Sequence, residues 1–270
     1  MPDIGVAWPE LTPEPASADP RSAATIGETR YNWRIDGLGA ASTPLLRQRF
    51  ADLSVLDQHD GEPANAAQLD RRAREDSELL LTLLRGEGYY DARVQTRVEP
   101  GDGRLQVVLE AEPGAIYRLK DVTIEGVAAA GDKADDLRRA FGVAPDQLVN
   151  ADTIAEAEAR LRAEVGAQGF PFAKIGEPVV TIDHETQTAT LDLALDPGTS
   201  RVFGAIRTNA DNHVFDAKHV QEIARFDPGD LYYAPRLDDL RRALIQTGLV
   251  SVAEVKPVPG TTPGLSLIHI

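Results

Sequence analysis

The side chains that could carry acid–base or metal chemistry are scattered along this chain of 270 residues. No two of its five histidines have the His-x-x-x-His spacing that places two imidazoles on one helix face to share a zinc ion. The sequence has no cysteine, and it lacks a Gly-x-Ser-x-Gly elbow, a phosphate-binding Walker loop and a dinucleotide fingerprint. With 43 acidic residues in the chain, the sequence does not identify a pair of carboxylates suited to catalysis. We therefore expect no enzymatic activity, no cofactor and no metal. The histidines are His59, His184, His213, His219 and His269.

The charge of the chain argues against two classes of partner. The formal net charge is −15, whereas binding to nucleic acid requires lysine and arginine to neutralise phosphates. The same excess of carboxylates opposes docking on anionic lipid. The absence of cysteine fits an oxidising compartment such as the periplasm but does not require one.

Three glycines recur at nearly constant spacing, each between a helical pattern and a strand pattern. With the residues that follow them they are Gly88-Tyr89, Gly169-Phe170 and Gly248-Leu249, at steps of 81 and 79 residues. An acidic residue followed by Pro-Gly also recurs, with its glycines, Gly114 and Gly198, 84 residues apart. This spacing predicts a tandem array of small units rather than one large catalytic core. The alternative is two unrelated helix-to-strand junctions in a single α/β domain, since glycine is common at helix C-termini.

Each unit has the same predicted order of elements, β-α-α-β-β, so the predicted fold class is α+β. In the first unit Tyr31, Trp33 and Ile35 alternate with polar residues, as in a half-buried strand. Asn65 is predicted to cap the long helix, with Gln68 three residues on. Spacings near multiples of 3.6 place an apolar stripe on one face of that helix. The stripe residues of the three long helices are Leu69, Ala73, Leu80 and Leu84, then Ile154, Leu161 and Val165, then Leu237, Leu240 and Leu244.

Tandem β-α-α-β-β units with a Gly-aromatic helix exit resemble the POTRA domains of Omp85-superfamily outer-membrane assembly proteins. The resemblance covers roughly residues 31 to 264. Asp70, the segment 84–94 and Glu112-Pro113-Gly114 are most similar to the TamA proteins, the outer-membrane subunits of the translocation and assembly module. The predicted domains are POTRA-like units at 31–113, 114–197 and 198–264, the third incomplete, after a disordered leader at 1–30.

The resemblance implies a periplasmic position at the outer membrane, with the third unit joined to a transmembrane β-barrel. The implied role is to bind peptides by strand addition and to dock partner subunits. The implied partners are unfolded outer-membrane or autotransporter polypeptides, an inner-membrane-anchored subunit of the assembly module and the protein's own C-terminal barrel, with no nucleic acid. Because neither a signal peptide nor barrel strands after Gly264 are visible, we expect the sequence to be a fragment. The alternative is a soluble periplasmic tandem-domain adaptor without a barrel.

The candidate peptide-binding residues lie on the strand after Gly88. An edge strand offers unpaired backbone N–H and C=O groups, which can accept an extended peptide with little demand on its sequence. We expect this edge at residues 91–98, with Arg93 and Arg97 flanking the incoming strand. Their alternative role is to block aggregation at the edge. The candidate residues are Asp91, Arg93, Gln95 and Arg97.

Three other segments have more than one interpretation. Tyr89, Tyr90 and Phe170 could contact a client, but an aromatic residue after a helix-ending glycine more often packs on its own core. The equivalent edge of the second unit contains Pro171 and Pro178, which remove donors and predict a poorer template. Residues 265–270 are either the last strand of the third unit or a non-native tail read through from adapter DNA.

Overall fold

The computed structural model describes residues 29–101, 103–208 and 216–260, together with the backbone of 265–269. The predicted leader lies almost wholly outside these residues, and so does Gly264. Within them the chain forms three sheets, each packed against its own helices. We call these parts units one, two and three.

Unit one consists of β1 (Thr29–Asp36), α1 (Pro44–Leu53), α2 (Val55–Gln58), β2 (Pro63–Ala64), α3 (Ala66–Gly86), β3 (Arg93–Pro100) and β4 (Leu105–Glu112). The sheet order is β2-β1-β4-β3. Strand β4 is parallel to β1 and antiparallel to β3. The last strand of the unit therefore lies inside the sheet, and β3 lies at its edge.

Unit two repeats this arrangement with β5 (Arg118–Glu125), α4 (Ala134–Phe141), α5 (Ala151–Ala167), β6 (Lys174–Ile175), β7 (Val179–Asp183) and β8 (Thr188–Asp196). Strand β8 is parallel to β5 and antiparallel to both β6 and β7. The outer edge of unit two, for which Pro171 and Pro178 predicted a poorer template, is thus divided into two short strands. The break lies at Gly176 to Pro178, where proline has no N–H to donate to the ladder.

Unit three contains β9 (Val202–Arg207), α6 (Ala217–Ile223), α7 (Ala234–Gln246), β10 (Lys256–Pro259) and β11 (Leu265–His269). The sheet order is β10-β11-β9, with β11 parallel to β9 and antiparallel to β10. The backbone of 265–269 therefore takes the central position that β4 and β8 take in the other units.

The predicted caps of the long helices are present. The amide of Gln68 donates to Asn65 Oδ1 at 2.9 Å, and the amide of Asn65 donates to Gln68 Oε1 at 2.9 Å, which completes a capping box. The side chain of Asn150 accepts from the amide of Thr153 at 2.9 Å. In α7, Pro235 lies in the first turn, where its missing N–H costs no helical hydrogen bond.

Each sheet buries a separate apolar cluster against its helices. The stripe residues predicted for α3 are at most 1% exposed, and those predicted for α5 and α7 are also buried. The clusters belong to unit one, unit two and unit three respectively. Three small cores in place of one confirm the α+β array and exclude the alternative of a single α/β domain.

Candidate peptide-binding edge and the junction beside it

Strand β3 has a free side along its whole length. Its eight residues pair with β4 on one side, and no described strand pairs with it on the other. Most of its side chains are exposed. Val98 lies on the same face as the core-packed Val94 and is still 46% exposed. The free side can therefore be approached by an extended polypeptide, as strand addition requires.

The charged side chains of β3 lie over the outer face of the sheet. Arg97 Nε is 2.8 Å from a Glu99 oxygen, and its Nη1 is 3.6 Å from Glu110 Oε2. Val108, the register partner of Arg97 on this face, is fully buried. The aliphatic part of the Arg97 side chain thus lies over apolar surface, while its guanidinium group pairs with two carboxylates. Gln95 lies opposite Glu110 in the register.

Asp91 is placed differently from the other three candidates, because β3 begins two residues after it. Its Oδ2 accepts a hydrogen bond from the hydroxyl of Tyr117 at 2.8 Å, and its Oδ1 lies 2.8 Å from His184 Nδ1. The Tyr117 hydroxyl is itself 3.0 Å from His184 Nδ1. We call these three side chains the clasp. It joins unit one, through Asp91, to the β7–β8 turn of unit two, through His184.

The clasp fixes the protonation of two of its members. The hydrogen bond from Tyr117, followed by that from His184, holds the pKa of Asp91 below its ordinary value, and Arg93 adds a smaller effect in the same direction. Burial, reinforced by the Asp91 carboxylate, raises the pKa of Tyr117 to about 12. A carboxylate bound by a neutral phenol is therefore the stable state at neutral pH.

Gly88 makes the backbone part of the same junction. It has φ +93°, and its carbonyl accepts the amide of Tyr117 at 3.0 Å. A β-carbon at this position would lie 2.5 Å from the carbonyl oxygen of Val149. Beside it, Asn150 Nδ2 donates to Glu87 Oε2 at 3.1 Å. The glycine just after the first long helix is therefore where unit two contacts unit one.

The second junction has the same backbone hydrogen bond but different side chains around it. Gly169 has φ +97°, and its carbonyl accepts the amide of Arg201 at 2.9 Å. A β-carbon on Gly169 would lie 3.1 Å from Leu231 Cδ1. The Arg201 guanidinium lies 5.7 Å from the centre of the Phe172 ring. No clasp of the first kind forms among the described residues here, because Phe172 takes the position that Asp91 has in unit one.

The residues that follow the three glycines do not behave alike. Tyr89 packs against the core of unit one, and Phe170 is 5% exposed in the core of unit two. These contacts support the own-core interpretation for both. For Tyr90 that interpretation is wrong, because it packs against the core of unit two, with its ring centre 5.5 Å from that of Tyr117. Leu249 is 62% exposed, and no atom lies within 4 Å of a β-carbon built on Gly248.

Sequence reasoning missed several residues that shape this region. Tyr117 and His184 carried no local signal, since His184 is 93 residues from Asp91. Gly37 and Gly126 have positive φ and approach the carbonyls of Ala111 and Leu195 too closely for any β-carbon. A signal for these two existed, because each follows an acidic residue at the end of the first strand of its unit.

The described part of the chain has neither a metal-binding cluster nor a membrane-spanning helix. No group of three or more histidine, aspartate or glutamate residues there could hold a metal ion. No helix there is long and apolar enough to span a bilayer.

Comparison with known proteins identifies the fold. Residues 117–198 match the family model described as POTRA, surface antigen variable number repeat. POTRA domains 3–5 of BamA from Haemophilus influenzae are 18% identical, with a TM-score of 0.51 that covers 90% of this chain and 94% of that one. POTRA domains 1–3 of Omp85 from Anabaena are 17% identical, with a TM-score of 0.34 over 89% and 92% of the two chains. The comparison with curated proteins gave no match. The chain therefore has a POTRA-like α+β fold.

Proposed function

We propose that this chain is the periplasmic part of an Omp85-superfamily outer-membrane assembly protein, and that it binds unfolded polypeptides by strand addition. The observation that carries the proposal is the free side of β3, an eight-residue edge strand with largely exposed side chains. Backbone groups on such an edge supply affinity without reading sequence. A factor that receives many different clients needs that property.

The finer assignment rests on the segments that resemble the TamA proteins. On this proposal the clients are outer-membrane or autotransporter polypeptides, and the docking partners are an inner-membrane-anchored subunit and a β-barrel of the same protein. The three units act as separate domains at 31–113, 114–197 and from 198 onward, and the third extends past the expected limit of 264 because β11 lies in its sheet. The match of 117–198 to the POTRA family model supports the middle boundaries.

The site residues have distinct roles in this proposal. Gln95 lies within the edge that pairs with the client, and Arg93 stands at the start of that edge. Arg97 shields the outer face of the sheet, since Glu99 and Glu110 hold its head there. Asp91 positions the start of β3 through the clasp.

Amide chemical shifts test strand addition directly. A short peptide of alternating valine and threonine is titrated into the ¹⁵N-labelled protein, and the amides of Arg93 to Glu99 are followed. We expect saturable shifts along β3, with smaller shifts in the central strand β4. The matched control is the same peptide with alternate backbone nitrogens methylated, which removes the donors that pair with the edge. Equal shifts with both peptides, or no shifts with either, would refute strand addition.

The barrel requires a separate test, because it concerns sequence beyond residue 270. Sequencing the genomic DNA downstream of the Gly264 codon should reveal an open frame with repeated segments of about ten alternating residues. A stop codon immediately after residue 270 would instead favour the adaptor without a barrel.

A further inference from the structure

The outer strands of units one and two meet end to end at the clasp. Strand β7 ends at Asp183, and the next residue is His184. His184 lies 2.8 Å from Asp91, and β3 begins at Arg93, two residues later. The carboxyl end of β7 is thus held beside the amino end of β3.

Both strands have one free side. Strand β7 pairs with β8 alone, and β3 pairs with β4 alone among the described strands. Val179, at the start of β7, is 57% exposed. Prolines mark the two outer limits of the path that the two strands form, since Pro178 precedes β7 and Pro100 ends β3. Neither strand contains a proline between these limits, so no amide donor is missing along the path.

We propose that β7, the clasp and β3 form one continuous docking edge, which takes a single extended polypeptide across both units. The inference rests on the proposed strand addition and specifies the ligand: an unfolded segment without proline, long enough to cover both strands. The five residues of β7 and the eight of β3, with a few residues to pass the clasp, require about 16 residues, or roughly 50 Å of extended chain.

The physical advantage of such an edge is avidity. A segment that has paired with one strand presents its remaining residues to the other at a high effective concentration, in the millimolar range for a short connection. Two individually weak pairings then combine without any new side-chain recognition. The clasp matters because this gain is lost if the two edges cannot be engaged together.

The charged groups around the clasp define what the middle of the ligand must tolerate. Asp91 and Arg93 face it from unit one, and Asp183, Lys120 and Glu185 lie near it in unit two. Because both signs of charge are present, a segment with small uncharged residues at its centre suits the crossing best.

The test compares peptides of different length on the intact chain. The long probe alternates threonine and valine over about 18 residues with a lysine at each end, and the short probes have the same pattern over about 8 residues. We expect the long peptide to shift the amides of Thr181 and Gln95 with one common midpoint, at a concentration at least ~10-fold below that of the short peptides. Equal midpoints for long and short peptides, or shifts confined to β3, would overturn the continuous edge while leaving strand addition at β3 intact. The absence of shifts with every peptide would overturn both.

A substitution in the clasp provides a second test of the continuous docking edge. His184→Gln alters the only clasp member contributed by the β7–β8 turn, and the histidine side chain is 63% exposed, so the fold should persist. We expect the length advantage to fall below ~3-fold, with the short peptides unaffected. Glu185→Gln, in the same turn, is the control and should keep the full advantage. An undiminished advantage in His184→Gln would show that the clasp does not align the two edges and would overturn the proposal.

Discussion

The carbonyl of Gly88 accepts the backbone amide of Tyr117 at 3.0 Å, so a residue just after one unit's long helix bonds to the residue just before the next unit's first strand. Gly169 and Arg201 repeat the relationship at 2.9 Å. A glycine is required at these sites for two reasons at once. The backbone has positive φ at both sites, and a β-carbon would lie 2.5 Å from the Val149 carbonyl oxygen at Gly88 and 2.9 Å from Ser200 Oγ at Gly169. The even spacing of the glycines therefore reflects the length of a unit measured from junction to junction.

Replacing Gly88 with alanine should cost more stability than replacing Gly248. Both have positive φ, +93° and +76°, which costs an alanine about 1 kcal/mol. At Gly88 the new β-carbon would also lie 2.5 Å from the Val149 oxygen, whereas no atom lies within 4 Å of it at Gly248. We expect urea unfolding to show losses of about 3 kcal/mol and about 1 kcal/mol respectively. Equal losses at the two sites would contradict a junction role for Gly88.

Alanine substitutions at a second pair of glycines distinguish the effect of helix propensity on stability from the effect of packing at the junctions. A β-carbon on Gly166, in α5, would lie 2.9 Å from the β-carbon of Ala234, at the start of α7. On Gly86, at the end of α3, it would lie 3.9 Å from that of Ala151, an ordinary contact. We expect Gly86→Ala to stabilise by up to about 1 kcal/mol and Gly166→Ala to destabilise by about 1 to 3 kcal/mol. Thermal unfolding of the two variants measures the difference, and a gain of stability in both would mean that the second junction can yield at no cost.

Asp76 should be among the most costly polar residues to remove. It is 1% exposed, and its carboxylate accepts hydrogen bonds from Ser54 Oγ at 2.5 Å and from the amides of Val55 and Leu56 at 2.8 and 3.0 Å. Asp76→Ala leaves these donors buried without a partner, so we expect a loss of about 3 kcal/mol.

Asp70 on the same helix is the matched control for Asp76. Its side chain is 57% exposed and pairs with Arg74 at 2.7 Å. Exposed pairs of this kind contribute below about 1 kcal/mol, so Asp70→Ala should change the free energy of unfolding little. A similar small effect for Asp76→Ala would mean that the three donors find other acceptors.

The Asp91 carboxyl should contribute to acid unfolding. Its pKa lies below the ordinary value of 3.8, because hydrogen bonds from Tyr117 and His184 favour the carboxylate. A lowered pKa stabilises the folded state above pH 3.8, and this stabilisation disappears as the pH falls through the lowered value. The unfolding free energies of wild type and Asp91→Asn should therefore differ by a constant amount above about pH 5 and converge in more acidic solution. Chemical unfolding at pH 2 to 7 measures this, and a difference that persists unchanged at pH 2 would exclude linkage to Asp91.

The fold was predictable because the repeat is visible in local patterns. Glycine exits, apolar stripes and the Asn65 cap each report on a stretch of fewer than about 20 residues, and together they specify the order of elements and the buried face of every long helix. The edge position of β3 followed from the hairpin. The division of unit two's outer strand at Pro178 could have been anticipated from the missing donor, but its exact position depends on the register with β8.

The junctions were not predictable, because they join residues far apart in the chain. Asp91 precedes the alternating apolar and polar residues of an edge strand. No residue near it in the sequence indicates that its side chain bonds to His184 and that the strand begins only at Arg93. Leu249 follows a glycine just as Phe170 does, yet Phe170 is buried and Leu249 is exposed. That difference depends on what packs around each residue in three dimensions.

The central position of β4, β8 and β11 has a consequence for synthesis. In each sheet the strand that joins the first strand of the unit to its outer strand is the last one of the unit to be made. A chain made from its amino end therefore cannot close the sheet of a unit until the whole unit has been made. It then closes that sheet before the following unit is complete. Folding would then proceed one unit at a time. The slow step in each unit would be the parallel pairing between its first and last strands.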